Sequence, residues 1–297
     1  MFSGLSAFPL TPLRDDQVDL AAYRGLIDRL VAARVDSIGA LGSTGSYAYL
    51  DRAERRAVVE ASVDRAAGIP VIAGIGALRT SQVLALAEDA QQAGADAVLL
   101  APMSYQALTQ DDVAALYEDV TAELSVPLVV YDNPATTHVT FSMDLYAHIA
   151  NLPHVDAIKI PPITQGVDAA RERVRAMRAV IPEHVRIGIS GDGFAASGLL
   201  AGCDAWFTAV GGTIPQAMSA IARSALDGRA DDALAASARL APLWDLVAQL
   251  GSLRVSAALA EHLALVDAPC LPRPLLGLRG AERERAVAVA DQLGLLS

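Results

Sequence analysis

The sequence predicts an α/β fold of the (β/α)8 TIM-barrel type with a C-terminal helical extension. Three observations carry that expectation. Short apolar runs alternate with longer amphipathic stretches, strand then helix, eight times. The runs are built mostly from Val, Ile, Leu and Ala, as a parallel sheet covered on both faces requires. Eight such repeats fill about 225 residues, the size of this barrel class.

The expected strands are Gly4–Pro9, Ser37–Leu41, Pro70–Gly74, Ala97–Ala101, Pro127–Tyr131, Ala157–Ile160, Arg186–Ser190 and Ala205–Ala209. The intervening helices are expected near Leu20–Ala33, Arg52–Ala66, Ser81–Ala93, Asp111–Glu123, Ser142–Ala150, Gly166–Val180, Phe194–Ala201 and Pro215–Leu226. Thr80-Ser81, Thr109-Gln110-Asp111 and Ser142-Met143-Asp144 read as helix entries. Gly94, Gly202 and Gly228 sit where helices should stop. An open doubly wound sheet is the competing fold. It wants a glycine-rich loop after the first strand, and Pro9-Leu10-Thr11-Pro12 is not one. Beyond Gly228 the alternation ceases. Ala230–Leu250, Ser252–Leu265 and Ala281–Leu293 read as helices without strands between them. The division expected is therefore a barrel over 1–228 and a helical region over 229–297.

Bulk properties narrow the function. The 297 residues are 53% hydrophobic with a formal net charge of −11, which argues against a nucleic-acid surface. No apolar stretch is long enough to span a bilayer, and Met1–Ser6 lacks a basic segment of the kind that opens a signal peptide. A cytoplasmic protein is expected. Cys203 and Cys270 make neither a disulfide framework nor a zinc motif. His138, His148, His154, His184 and His262 show no ligand spacing, so neither a metal nor another cofactor is expected.

Lys159 is the sole lysine of the chain, every other cationic side chain being arginine. It lies near the end of the apolar run Val155-Asp156-Ala157-Ile158-Lys159-Ile160. Burying an ammonium is costly unless it is paired or loses its proton. A lysine held neutral offers an amine that attacks a ketone to form a Schiff base. A side chain snorkelling from a strand end is the other reading of the same residue. The barrel frame adds weight to the first, because chemistry in this fold sits at the C-terminal ends of the strands. Other strand ends supply possible partners. Gly42-Ser43-Thr44-Gly45 sets two hydroxyls between glycines, which suits a carboxylate. Tyr131 ends the fifth strand and is placed to relay protons, although a core tyrosine is the commoner fate of any one such residue. Ser190-Gly191-Asp192 and Val210-Gly211-Gly212 make tight turns after strands seven and eight.

Taken together, Ala7-Phe8-Pro9-Leu10-Thr11-Pro12, Gly42-Ser43-Thr44-Gly45, Gly74-Ile75-Gly76, Tyr131-x-x-Pro134, Lys159 and Ser190-Gly191-Asp192 resemble the dihydrodipicolinate synthase / N-acetylneuraminate lyase family of class I aldolases. The resemblance runs over most of the barrel. It implies Lys159 as the nucleophile that forms a Schiff base with pyruvate or another 2-keto acid. It implies Tyr131 as proton relay, Ser43, Thr44 and Gly45 as the carboxylate cradle, and Thr44 as a member of the relay. Gly191, Val210, Tyr105, Thr136 and His138 complete the expected substrate contacts. An aldehyde is the expected second partner, and a homo-oligomer, tetramer or dimer, the expected assembly.

Four departures accompany the resemblance, one of them the stiff Pro161-Pro162 where the family often has a small polar segment. Ser46 stands where the family often has glutamate. Thr136 stands where authentic synthases usually have the arginine that binds the second substrate. The synthase relay also borrows a tyrosine from a neighbouring subunit, in the loop after strand four; here that loop reads Pro102-Met103-Ser104-Tyr105, which fits only if shifted by a residue. The expectation is a pyruvate-dependent aldolase or lyase with an altered aldehyde partner. Its alternatives are an authentic 4-hydroxy-tetrahydrodipicolinate synthase, a dehydratase of sugar-derived keto acids, and a non-catalytic keto-acid sensor.

Overall fold

A computed structural model of the chain describes residues 2–296. The eight apolar runs become strands β1 (Gly4–Ala7), β2 (Ser37–Ala40), β3 (Val71–Gly74), β4 (Ala97–Leu100), β5 (Leu128–Tyr131), β6 (Val155–Ile160), β7 (Arg186–Ile189) and β8 (Ala205–Thr208). Each pairs in parallel with its neighbours in chain order, and β8 returns to β1, so the sheet closes into a barrel without edges. Each strand is followed by a helix of the outer ring: α1 (Leu20–Ala33), α2 (Arg52–Arg65), α3 (Thr80–Gln92), α4 (Gln110–Thr121), α5 (Met143–Ala150), α6 (Val167–Arg178), α7 (Ala195–Leu200) and α8 (Pro215–Leu226).

Successive side chains of a strand face opposite sides, so each strand splits its residues between two cores. Leu5, Ile38, Val98, Val130, Ile158 and Ile187 face the helices. Ile72, Ala97, Leu99, Val129, Tyr131, Ala157, Ala205 and Phe207 fill the barrel interior, joined by Phe2, Phe8 and Ala101. Lys159 shares the parity of Ala157, so its side chain also starts inward. Between β5 and β6 the register shifts: Leu128 faces Val155, yet Val129 faces Ala157. The one-residue irregularity at Asp156 sets Lys159 directly beside Tyr131.

Helix entries follow local chemistry. Asp51 and Thr109 form capping boxes with Glu54 and Asp112, and Ser142 accepts from the Leu145 N–H. Thr80 is not a cap; α3 begins on it, after an Arg79 whose side chain caps nothing. At the opposite end of the barrel a device recurs three times. Asp36, Asp96 and Asp204 each precede a strand and accept an N–H from the strand before it, of Leu5, Val71 and Ile187, at 2.7–2.8 Å. Each carboxylate ties the start of one strand to the next.

After Gly228 the chain is helical, as expected, but the run 230–250 is two helices: α9 (Ala230–Arg239) and α10 (Ala241–Leu250), broken at Leu240. Pro242 explains the break. It lacks an N–H and is tolerated only in the first turn of a helix. Then come α11 (Ser252–His262) and α12 (Gly280–Gln292). Leu10 and Leu26 of the barrel pack with Ala257, Ala260, Val266, Cys270 and Leu271 of this tail. A two-residue ribbon pairing Leu13–Arg14 with Gln17–Val18 was not anticipated. No helix among the described residues is long and apolar enough to cross a membrane.

Asp96→Ala should cost about 1.5–3 kcal/mol, the scale of a hydrogen bond to a charged group. A urea unfolding curve of the variant checks this, with Asp96→Asn recovering part of the loss.

Candidate active site

The C-terminal end of the barrel carries the unusual side chains. Lys159 is 5% exposed, and among the described residues it enters no ion pair. Its amine meets aromatic faces instead. Nζ lies 4.1 Å from the ring centroid of Tyr131, 4.2 Å from that of Phe8 and 5.5 Å from that of Phe207. A desolvated cation over an aromatic face gains about 2 kcal/mol. Phe8 and Phe207 meet edge to face at 5.9 Å.

Glycines make room for these rings. A Cβ on Gly39 or Gly42 would lie 2.3 Å from Phe8, and one on Gly188 would lie 2.0 Å from Phe207. Gly188 is also the register partner of Lys159 across β6–β7. Three positions without side chains thus admit two large rings beside the amine.

Tyr131 ends β5, and its hydroxyl oxygen has two partners. The Asn133 Nδ2 donates to it at 2.8 Å, and the Ser43 Oγ lies at 3.4 Å. Ser43 is half-buried and Thr44 buried in the turn after β2, which the Ser46 N–H closes onto the Ser43 carbonyl. The hydroxyl that meets Tyr131 is that of Ser43, while Thr44, the expected relay member, lies buried beside it. Gly45 is buried there too, where a Cβ would press on the Leu41 backbone at 3.1 Å. At the end of β7 Gly191 has φ +83°, and a Cβ would lie 2.6 Å from Pro162 in the loop that follows Lys159. That position demands glycine for conformation and for space.

Asp192 organises the β7 and β8 ends. It accepts from the Trp206 Nε1 at 3.0 Å and the Val210 N–H at 2.9 Å, and burial holds its carboxyl above the usual range. Val210 is fully buried with its side chain in the outer core, so it contributes through its backbone. Tyr105 is 90% exposed, in the loop after β4. Thr136 and His138 are exposed on and after a one-turn helix, Pro134–Thr137. The structure thus brings Ser43, Tyr131 and Lys159 together and leaves Tyr105, Thr136 and His138 at the rim. Phe8, Phe207 and Asn133 were missed. The two phenylalanines read as core, and Asn133 lay inside the Tyr-x-x-Pro turn without an assigned role.

Next to Tyr131, Asp132 is buried beneath the site and accepts from the Tyr146 hydroxyl. Burial raises its carboxyl above the ordinary value, offset in part by the Tyr146 bond and by Arg173. On the other side Tyr47 lies near Tyr131. Burial, with a smaller contribution from Tyr131, pushes the Tyr47 phenol up to about 12.

A closed parallel barrel with an inward lysine near the end of its sixth strand defines an α/β-barrel protein of enzymatic type. Its relatives make the assignment specific. The Dihydrodipicolinate synthetase family model matches residues 1–293, and the chain belongs to that family of lyase-type enzymes. The chain is 30% identical to 4-hydroxy-tetrahydrodipicolinate synthase from Methylococcus capsulatus over 292 residues, covering 98% of this chain and 97% of that one. The crystal structure of dihydrodipicolinate synthase from Agrobacterium tumefaciens superposes with a TM-score of 0.95 at 42% identity, covering 98% of each chain. A dihydrodipicolinate synthase from Acinetobacter baumannii, solved in complex with pyruvate, has a TM-score of 0.89 and 26% identity, covering 99% of this chain and 100% of that one.

Gly188→Ala should force Phe207 off its place, costing about 1–3 kcal/mol of stability by overpacking; thermal unfolding reads this. Asp132→Asn tests the buried carboxyl. Because the folded value is raised, the stabilising protonated form is complete at acid pH and is lost as pH rises through that value. The variant keeps an acceptor for Tyr146. It should therefore match the wild type at pH 4 and melt higher than the wild type at pH 8.

Proposed function

We propose that this chain is a class I, Schiff-base-forming aldolase or lyase that binds pyruvate, or a 2-keto acid yielding pyruvate, on Lys159. The observation that carries the reading is the buried Lys159 Nζ against the ring of Tyr131, at the active end of a barrel of this family. The pyruvate complex of the Acinetobacter baumannii relative supports the choice of keto acid.

The neutral Lys159 amine adds to the C2 carbonyl, giving a carbinolamine. Tyr131 protonates the departing hydroxyl, water leaves, and a cationic imine remains. The hydroxyls and N–H groups of Ser43, Thr44 and Gly45 hold the carboxylate. The imine draws electrons from C3, whose proton passes to the Tyr131 phenolate left by dehydration, giving an enamine and the neutral phenol. That enamine attacks an aldehyde, or is the fragment left after cleavage. Gly191 and Pro162 wall the site, and the rim of Tyr105, Thr136 and His138 faces the second substrate. In this reading the chemistry is carried by side chains, with Lys159 as nucleophile and Tyr131 as proton relay. A cytoplasmic homo-oligomer belongs to the same reading, with residues 1–228 as its catalytic part.

The names of the relatives favour a second reading, an authentic 4-hydroxy-tetrahydrodipicolinate synthase acting on aspartate semialdehyde. Thr136, exposed where an arginine would be expected, weighs against it.

Enamine formation is measurable without the aldehyde. In deuterated water the chain should exchange the methyl protons of pyruvate, followed by proton NMR. Lys159→Ala should abolish exchange and Tyr131→Phe should slow it by about 10²–10⁴-fold. Full exchange by Lys159→Ala would rule the mechanism out. Condensation of pyruvate with aspartate semialdehyde at rates matching the exchange would select the second reading.

A further inference from the structure

Asn133 occupies the N-cap position of the turn Pro134–Thr137, where an asparagine side chain ordinarily accepts a backbone N–H two or three residues on. Here it makes no such bond. The turn is closed from the other side, by the Asn133 carbonyl, which accepts the N–H groups of Thr136 and Thr137 and the Thr137 hydroxyl, each at 3.0 Å. The freed carboxamide reaches back two residues and donates to the Tyr131 oxygen at 2.8 Å. That is the shorter of the two contacts to the hydroxyl, the Ser43 Oγ standing at 3.4 Å.

We infer that Asn133 is a positioning residue for Tyr131, holding its hydroxyl by donation and stabilising the phenolate left when Tyr131 gives up its proton. The inference rests on the function proposed above. A phenol oxygen accepts through its lone pairs and donates one proton. With the Asn133 N–H filling a lone pair, the phenol proton is directed away from Asn133, toward Ser43 and the space beside Lys159. In the dehydration step Tyr131 transfers that proton to the carbinolamine oxygen. The C–O bond breaks, water departs, the amine nitrogen's lone pair closes the imine, and the negative charge stays on the Tyr131 oxygen. A hydrogen bond to a charged acceptor is stronger than one to a neutral acceptor. The Asn133 donation therefore strengthens as the charge forms, which is the condition for accelerating the step. Within the chain, the partners of Tyr131 are thus Asn133 and Ser43.

The test is methyl-proton exchange of pyruvate by the full-length wild type and by Asn133→Asp, Asn133→Leu and Asn133→Gln, each checked by its melting temperature. Asp is the same size but has no donor when ionised, Leu is apolar, and Gln keeps the amide. The expected result is a kcat about 10- to 100-fold lower for Asp and Leu, with KM within about threefold and with substantial recovery in Gln. Exchange by Asn133→Asp at the wild-type rate would overturn the positioning role while leaving the proposed function intact. Equal loss in all three variants with a lowered melting temperature would also overturn it, by showing a role in folding the turn. Absence of exchange in the wild type would instead overturn the proposed function and this role with it.

Discussion

Closure of the eight-stranded barrel is the constraint on which the rest depends. Once β8 pairs with β1, every strand residue must face either the barrel axis or the helices. Lys159 falls on the axial side by parity alone, and the register shift at Asp156 places it opposite Tyr131. Neither residue is held there by a bond of its own to the other. The backbone ladder sets their distance, and the three glycines that admit Phe8 and Phe207 fix what surrounds them.

Such an arrangement trades ion pairing for aromatic faces. A carboxylate beside Lys159 would hold the ammonium and oppose loss of its proton. Aromatic faces attract a cation but, unlike a carboxylate, bring no full negative charge to the amine. The carboxylates near the site are used otherwise: Asp132 accepts from Tyr146, and Asp192 ties the β7 and β8 ends together. Both are buried and raised, so they build the walls and leave the reacting end to hydroxyls, an amide and one amine.

Much of this was legible in the sequence, for physical reasons. Eight apolar runs separated by amphipathic helices leave few folds, and the strand bounds followed to within a residue or two. Lys159 stood out because a cation inside an apolar run demands an explanation. Tyr131 and Ser43 were legible by their places at strand ends. What escaped depended on three-dimensional choices. Phe8 and Phe207 look like any core residues until closure turns them toward the amine. Asn133 lies between Tyr131 and Pro134 with nothing in the sequence to single it out, and only the fold shows its side chain turned back to Tyr131. The break at Leu240 was missed because Pro242 sits in a first turn, which a proline tolerates. The helical periodicity therefore ran across it unmarked. Ser43, expected only in the carboxylate cradle, is a hydroxyl that meets Tyr131, a placement between adjacent residues that local motif reading does not resolve.

The central claim is covalent attachment of a keto acid to Lys159. Borohydride reduction in the presence of pyruvate, read by intact mass and peptide mapping, tests it most directly, because the chain has no other lysine. A single reduced adduct on the peptide containing Lys159 is the predicted result. An unmodified chain, with pyruvate and with every longer 2-keto acid tried, would contradict the account and leave Lys159 as a structural residue of the barrel.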